Sequence, residues 1–316
     1  MLTQLKRLVL ALALVLPGGM ASAQISVVAT TGMIADTTRQ IGGDHVEVRA
    51  LMGPGVDPHA YRQTRSDIVA MTRADLVLWH GLFLEAQMEA FFEDLGRSRN
   101  VVAVAEELPR ELLLAHDDYE NRFDPHVWMV PDLWQRVADR IRDALIETDP
   151  DNAEIYRANA EAFAAELETL SAYASQSLST VPEPQRVLLT AHDAFNYFGQ
   201  AYGFEVLGIQ GISTESEAGL ARIAELVDLL VARNISAVFV ESSVSDRNIR
   251  ALVEGAEARG HSVHIGGELY SDAMGPSGSY EGTYLGMIDH NATIITLSLG
   301  GTAPERGMTG QLSAGM

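Results

Sequence analysis

Apolar residues along this chain switch repeatedly between two spacings. Residues 24–30 form an apolar run short enough for a buried strand, and after Thr31-Gly32-Met33 the spacing lengthens to that of a helix over 34–41. Gly42-Gly43 stops that helix, and residues 46–51 alternate as a second strand does. A loop over 52–59 follows, then a short helix over 66–73 and a strand over 76–79. The pattern continues with a helix over 84–95, a strand over 101–105 and a helix over 132–147, whose apolar positions are Leu133, Val137, Ile141 and Leu145. Strands alternating with helices predict parallel sheet built from βαβ units.

The longest helical stretch comes next. Asp149 can cap it, with Pro150 at its first position, and from there to 178 no glycine or further proline interrupts. Ile155, Asn159, Phe163, Leu167, Leu170 and Ala174 fall on or near one face. Roughly 28 residues at 1.5 Å rise make a rod of about 40 Å. Pro182 and Pro184 close it. The alternation then resumes, with strands over 187–190, 205–209, 237–240 and 262–265 and helices over 194–202, 217–233, 246–259 and 283–299. The glycine-rich tail after Gly300 reads as loose. The expectation is an α/β protein of two lobes, each a mainly parallel sheet flanked by helices, joined by one long backbone helix. The predicted division is a leader over 1–23, a first lobe over 24–148, the connecting helix over 149–181 and a second lobe over 182–316.

The leader rests on a familiar three-part pattern. Lys6 and Arg7 precede an apolar run over 8–16, Pro17-Gly18-Gly19 breaks it, and Ala21-Ser22-Ala23 offers an A-x-A cleavage site. Cleavage after Ala23 would leave a mature chain starting at Gln24. A membrane anchor is the alternative, but the run falls short of the roughly 20 residues a spanning helix needs. The 316-residue chain has a formal net charge of −21, which becomes −23 once Lys6 and Arg7 are removed. Such a surface repels nucleic acid and anionic membrane and attracts cations weakly. There is no cysteine, so neither disulfides nor thiolate ligands are available, and a metal site must use imidazole and carboxylate. Lacking a cysteine to lipidate, the protein is expected to be exported to a periplasm and not lipid-anchored.

One internal echo carries candidate chemistry. Asp57-Pro58-His59 recurs as Asp124-Pro125-His126. Proline fixes its own φ and restricts the aspartate before it, so each histidine sits on a stiff loop. Each also falls near the end of a strand region, where open α/β sheets place ligands. His192 directly follows the strand over 187–190, and Asp193 beside it could cap the next helix. Two carboxylates, Glu241 and Asp272, occupy strand-end positions in the second half. On the residues alone, each of these could instead serve a local turn or a helix cap. Of the other histidines, His80 follows a strand and could stand behind the ligands. His45 reads as exposed, and His116, with Asp117 and Asp118, as a weak surface metal contact. His261, His264 and His290 read as structural or surface residues.

The motifs GPGVDPHAY (53–61), ADLVLWHGLFLE (74–85), DPHVWM (124–129), AHDAFNYFGQAYGF (191–204), VFVESS (238–243) and GGELYSDAMG (266–275) together resemble those of the zinc- and manganese-binding solute-binding proteins of ABC importers, in their TroA-like branch. The likeness runs from Val27 to about Leu299. It implies two α/β lobes on one long helix, with metal in the cleft between them. It also implies His59, His126, His192 and Asp272 as ligands, the third position being glutamate in several manganese-type members. A long histidine-rich loop common in the zinc-specific branch is absent, the segment 114–123 being short.

A carrier of zinc or manganese, with iron also open, is the reading that follows. Its partners are a membrane permease and a cytoplasmic ATPase, and it acts as a monomer without nucleic acid. Glu241 is the candidate to orient a ligand histidine. Proton competition is expected to weaken binding below about pH 6. The alternatives are a metal buffer or adhesin, and a zinc hydrolase. The hydrolase is disfavoured because four ligands leave no open position and no H-E-x-x-H is present.

Overall fold

The computed structural model describes residues 24–116, 120–216 and 218–313. The leader over 1–23, Asp117, Asp118 and Glu217 lie outside the described residues. The first half runs β1 (Ile25–Ala29), α1 (Gly32–Gly42), β2 (Val46–Ala50), α2 (Arg65–Arg73), β3 (Leu76–Trp79), α3 (Glu89–Leu95), β4 (Val101–Ala103) and α4 (Pro131–Thr148). Its four strands form one parallel sheet in the order β2-β1-β3-β4. After α5 (Ala153–Leu178), the second half runs β5 (Val187–Thr190), α6 (Asn196–Tyr202), β6 (Glu205–Gly208), α7 (Leu220–Arg233), β7 (Ala237–Glu241), α8 (Arg247–Glu257), β8 (His264–Leu269) and α9 (Tyr284–Ser298). Here β5 pairs with β6 and β7 with β8, both in parallel, and β5 lies against β7. The two-lobe α/β architecture on a long helix is therefore present. No helix among the described residues is long and apolar enough to cross a membrane.

α5 buries Tyr156, Ala160, Phe163, Leu167, Leu170, Ala174 and Leu178 on one face. This stripe sits one residue along from the predicted one at its start, so Ile155 is left 40% exposed. The face packs against α1 and α4 from the first half and α9 from the second. One apolar core therefore runs from β1 and β3 through α5 to Phe195, Phe198 and α9. A separate core lies between β5, β7, α7 and α8.

Four local expectations are corrected. Asp149 does not cap α5; a single 3-10 turn, Pro150–Asn152, intervenes, and the carboxylate instead accepts from Asn152 Nδ2 (2.7 Å) and Tyr156 OH (2.6 Å). The helix expected over 84–95 begins only at Glu89. Gly81, Leu82 and Phe83 take left-handed backbone (φ 84, 51 and 70°), which no helix can continue. The strand expected over 262–265 runs instead over His264–Leu269. Gly266-Gly267, past the expected end at 265, lies within the strand, because a Cβ at Gly266 would stand 2.8 Å from the Phe239 ring and one at Gly267 2.6 Å from Ile294. As far as residue 313 the tail is fastened rather than loose: Leu312 is buried, Met308 N–H donates to Asp289, and Ser313 N–H donates to Glu281 (2.6 Å).

Candidate metal centre

Both Asp-Pro-His motifs fold into the same small turn. Asp57 Oδ1 accepts the backbone N–H of His59, and Asp124 Oδ1 that of His126, each at 2.9 Å. The proline between them has no N–H to compete for that oxygen, so each histidine's backbone is tied to its own motif. In the second motif Asp124 Oδ1 also lies 2.6 Å from Nδ1 of His126. That contact fixes the ring and leaves Nε2 free to face the site. In the first motif the spare Asp57 oxygen accepts the Thr214 hydroxyl (2.6 Å).

His192 is placed by the end of β5 and by its neighbour β7. Glu241, the last residue of β7, accepts the His192 backbone N–H through Oε1 (2.8 Å). Its Oε2 lies 2.5 Å from His192 Nδ1, close but off the line of a hydrogen bond. Glu241 thus stands behind His192. Asp272 follows β8, on a loop gripped on both sides. Asn291 accepts the Tyr270 N–H (2.9 Å) and donates to its carbonyl (2.7 Å). Trp128 Nε1 donates to the Ser271 carbonyl (2.8 Å).

These supports bring together the four residues singled out in the sequence. None of His59, His126, His192 and Asp272 is more than 3% exposed. One potential ligand atom from each lies within 4.8 Å of all the others. His59 Nε2 is 3.3 Å from His126 Nε2 and 3.9 Å from Asp272 Oδ2. Asp272 Oδ1 is 3.4 Å from His126 Nε2, and its Oδ2 is 3.2 Å from His192 Nε2. An ion bonded at about 2.1 Å to four tetrahedral donors separates them by about 3.4 Å. Both Asp272 oxygens and His192 Nε2 are buried without a hydrogen-bond partner among the described residues. Buried polar atoms left unpaired and facing one point fit a cation there.

The electrostatics agree. Burial pulls the His59 pKa down to about 3. At His126 burial also opposes the charge, but the Asp124 carboxylate overcomes it and pushes the pKa up to about 9. His192 is held well above its ordinary value, against burial, by Asp272 and Glu241. Asp272 is held well below its own by His192 and His126, again against burial. The carboxylates and imidazoles of the pocket thus favour each other's charged forms at His126, His192 and Asp272.

The remaining histidines have other roles. His80 is one step further back than expected: its Nε2 donates to the Pro125 carbonyl (2.8 Å), bracing the loop of His126. His116 is only 6% exposed, which corrects its reading as a surface metal contact. His45 is half-buried, its ring centroid 6.4 Å from that of Tyr156. His261 and His290 bond the carbonyls of Ile235 (2.6 Å) and Glu268 (2.8 Å), and His264 is exposed. Asp193 does not cap α6, whose first residue follows Phe195 with no side-chain cap.

The sequence reading missed the roles of Asp57, Asp124 and Asn291. The first two were signalled by the motif itself, since an aspartate two residues before a histidine can take its N–H. Asn291 lies mid-helix in α9 and carries no local signal.

Comparison with known proteins fits this geometry. Residues 27–297 match the family model described as zinc-uptake complex component A, periplasmic. The manganese-binding lipoprotein MntA of Bacillus subtilis is 48% identical over 89% of this chain and 92% of its own length. The metal ABC transporter substrate-binding lipoprotein SsaB of Streptococcus sanguinis is 30% identical over 88% of this chain and 90% of its own. The solved structure of the periplasmic zinc-binding protein TroA from Treponema pallidum superposes with a TM-score of 0.85 at 44% identity, covering 88% of this chain and 99% of that one. Two of these names overturn the expectation of a protein without a lipid anchor, since MntA and SsaB are named lipoproteins. The chain has no cysteine, so the correction comes from the relatives and not from a residue seen here. With a buried three-histidine, one-aspartate cluster at the meeting of two α/β lobes and a family match spanning 27–297, the chain belongs to the zinc-uptake component A family of metal-binding proteins that serve ABC importers.

Proposed function

We propose that this chain captures one divalent transition-metal ion with Nε2 of His59, His126 and His192 and the carboxylate of Asp272, and hands it to a membrane permease. The observation that carries this reading is the set of unpaired buried atoms on Asp272 and His192 facing the other two imidazoles. On this reading residues 24–148 and 182–316 act as the two metal-binding lobes, and 149–181 as the connector. Two donors come from each side of α5, so a bound ion ties the halves together. One chain supplies the whole donor set, which supports a monomer.

The chain acts as a carrier and not as a catalyst. Four protein donors leave no open position for a reacting water, and Glu241, the nearest carboxylate to spare, is spent on His192. Among metals, a nitrogen-rich site favours zinc over manganese on intrinsic affinity. The decisive assay is metal content after purification without added metal. The wild type should carry about one ion per chain and retain zinc when offered equal zinc and manganese, while His126→Ala should carry almost none. A wild type that binds no metal, or a His126→Ala variant that binds as well, would refute the site.

A further inference from the structure

The two Asp-Pro-His turns are alike in build but unlike in how they are fastened to the second half. The turn of His126 is tied down repeatedly. Tyr197 OH donates to the Asp124 carbonyl (2.9 Å), and Asn196 Nδ2 to Asp124 Oδ2 (3.2 Å). Two residues past His126, Trp128 Nε1 donates to the Ser271 carbonyl and its own carbonyl accepts from Tyr284 OH, both at 2.8 Å. These bonds join His126 to the elements that carry His192 and Asp272.

The turn of His59 has a single tie. Among the described residues, the one hydrogen bond from Asp57-Pro58-His59 to the second half is that of the Thr214 hydroxyl to Asp57 Oδ2 (2.6 Å). Thr214 sits on the segment between β6 and α7, and its neighbour Glu215 is exposed and meets Gln87 of the first half. On the other flank of the His59 loop lies a cleft of about 290 Å³. Gly53, Pro54 and Val56 form one wall of that cleft, and Asp272, Met274 and Gly275 the other. Asp272 is the one donor of the four that borders it.

We propose that Thr214 is a positioning residue whose hydroxyl latches the His59 loop to the second half, and that breaking this latch is the step that lets the ion leave. His126, His192 and Asp272 stay together on their shared supports. His59 swings away from them, widening the cleft along Asp272 and leaving an ion held by three donors and open to solvent or a receiving protein. The inference rests on the four-donor reading of the site. A hydrogen bond to a carboxylate is among the stronger ones, and effects of this kind fall mainly on dissociation rates.

The test follows zinc release into excess chelator by stopped flow. Thr214→Val should release zinc at least about tenfold faster with association little changed, while Thr214→Ser, which keeps the hydroxyl, should release at the wild-type rate. The absence of native cysteine allows a second arm. Gln87→Cys and Glu215→Cys, joined by a short cleavable thiol-reactive bridge, should slow release at least about tenfold, and cleaving the bridge should restore it. The latch is overturned if Thr214→Val and Thr214→Ser release alike, or if the bridge leaves release unchanged. Failure of the wild type to bind zinc would instead overturn the site itself, which separates the two claims.

Discussion

At His126 and His192 the neighbouring carboxylates favour the protonated ring where a cation would sit, and this changes the pH dependence expected from free imidazole. Because the His126 pKa is pushed up to about 9, that ring is charged at neutral pH and must lose a proton to bind metal. His192 is raised as well, whereas His59, drawn down to about 3, offers no proton competition near neutrality. Apparent affinity should therefore keep rising with pH through neutrality toward about 9, rather than levelling off near 6. Calorimetry in buffers of differing ionisation enthalpy should detect protons released per ion at about pH 7; release of none would contradict the assignment. Behind the ligands, Glu241→Gln should weaken zinc binding about 10- to 100-fold, by chelator competition, with the fold intact. Unchanged affinity would remove Glu241 from the site. His59, His126 and His192 were legible because two sat in a repeated rigid motif and one at a strand end. Asp272 and Glu241 were not separable on the residues alone. Both are acids at strand ends, and only the pairing of β7 with β8 turns one toward the back of His192 and the other toward its front.

Elements were legible where one face is buried and spacing is regular. The rod α5 is legible as one helix because its stripe repeats without glycine. Its starting register slipped because Tyr156, not Ile155, finds a partner in Asp149. The reading failed where glycine serves close packing or a left-handed turn, as at Gly266-Gly267 and Gly81, since glycine looks the same in a strand as in a loop. Leu170 lies at the middle of the face that α5 presents to the shared core and is fully buried. Leu170→Ala should cost about 2–5 kcal/mol in denaturant unfolding. A loss under about 1 kcal/mol would mean that α5 is not a core element at this point, since ordinary surface changes fall within that range.

For the molecule as a whole, the sequence foretold two lobes and a connector but not how the connector is used. α5 does not merely space the lobes apart, because the main core passes through it from β1 to α9. That continuity is a sum of long-range contacts, which local periodicity cannot reveal. It leaves the loops around the site, more than the lobes themselves, as the parts free to rearrange. The central claim is that donors from both sides of this helix meet on one ion. Anomalous diffraction at the zinc edge from crystals grown with zinc tests it most directly. One peak should appear about 2.0–2.2 Å from Nε2 of His59, His126 and His192 and from an oxygen of Asp272. A peak elsewhere, or one lacking contacts from either half, would contradict the account.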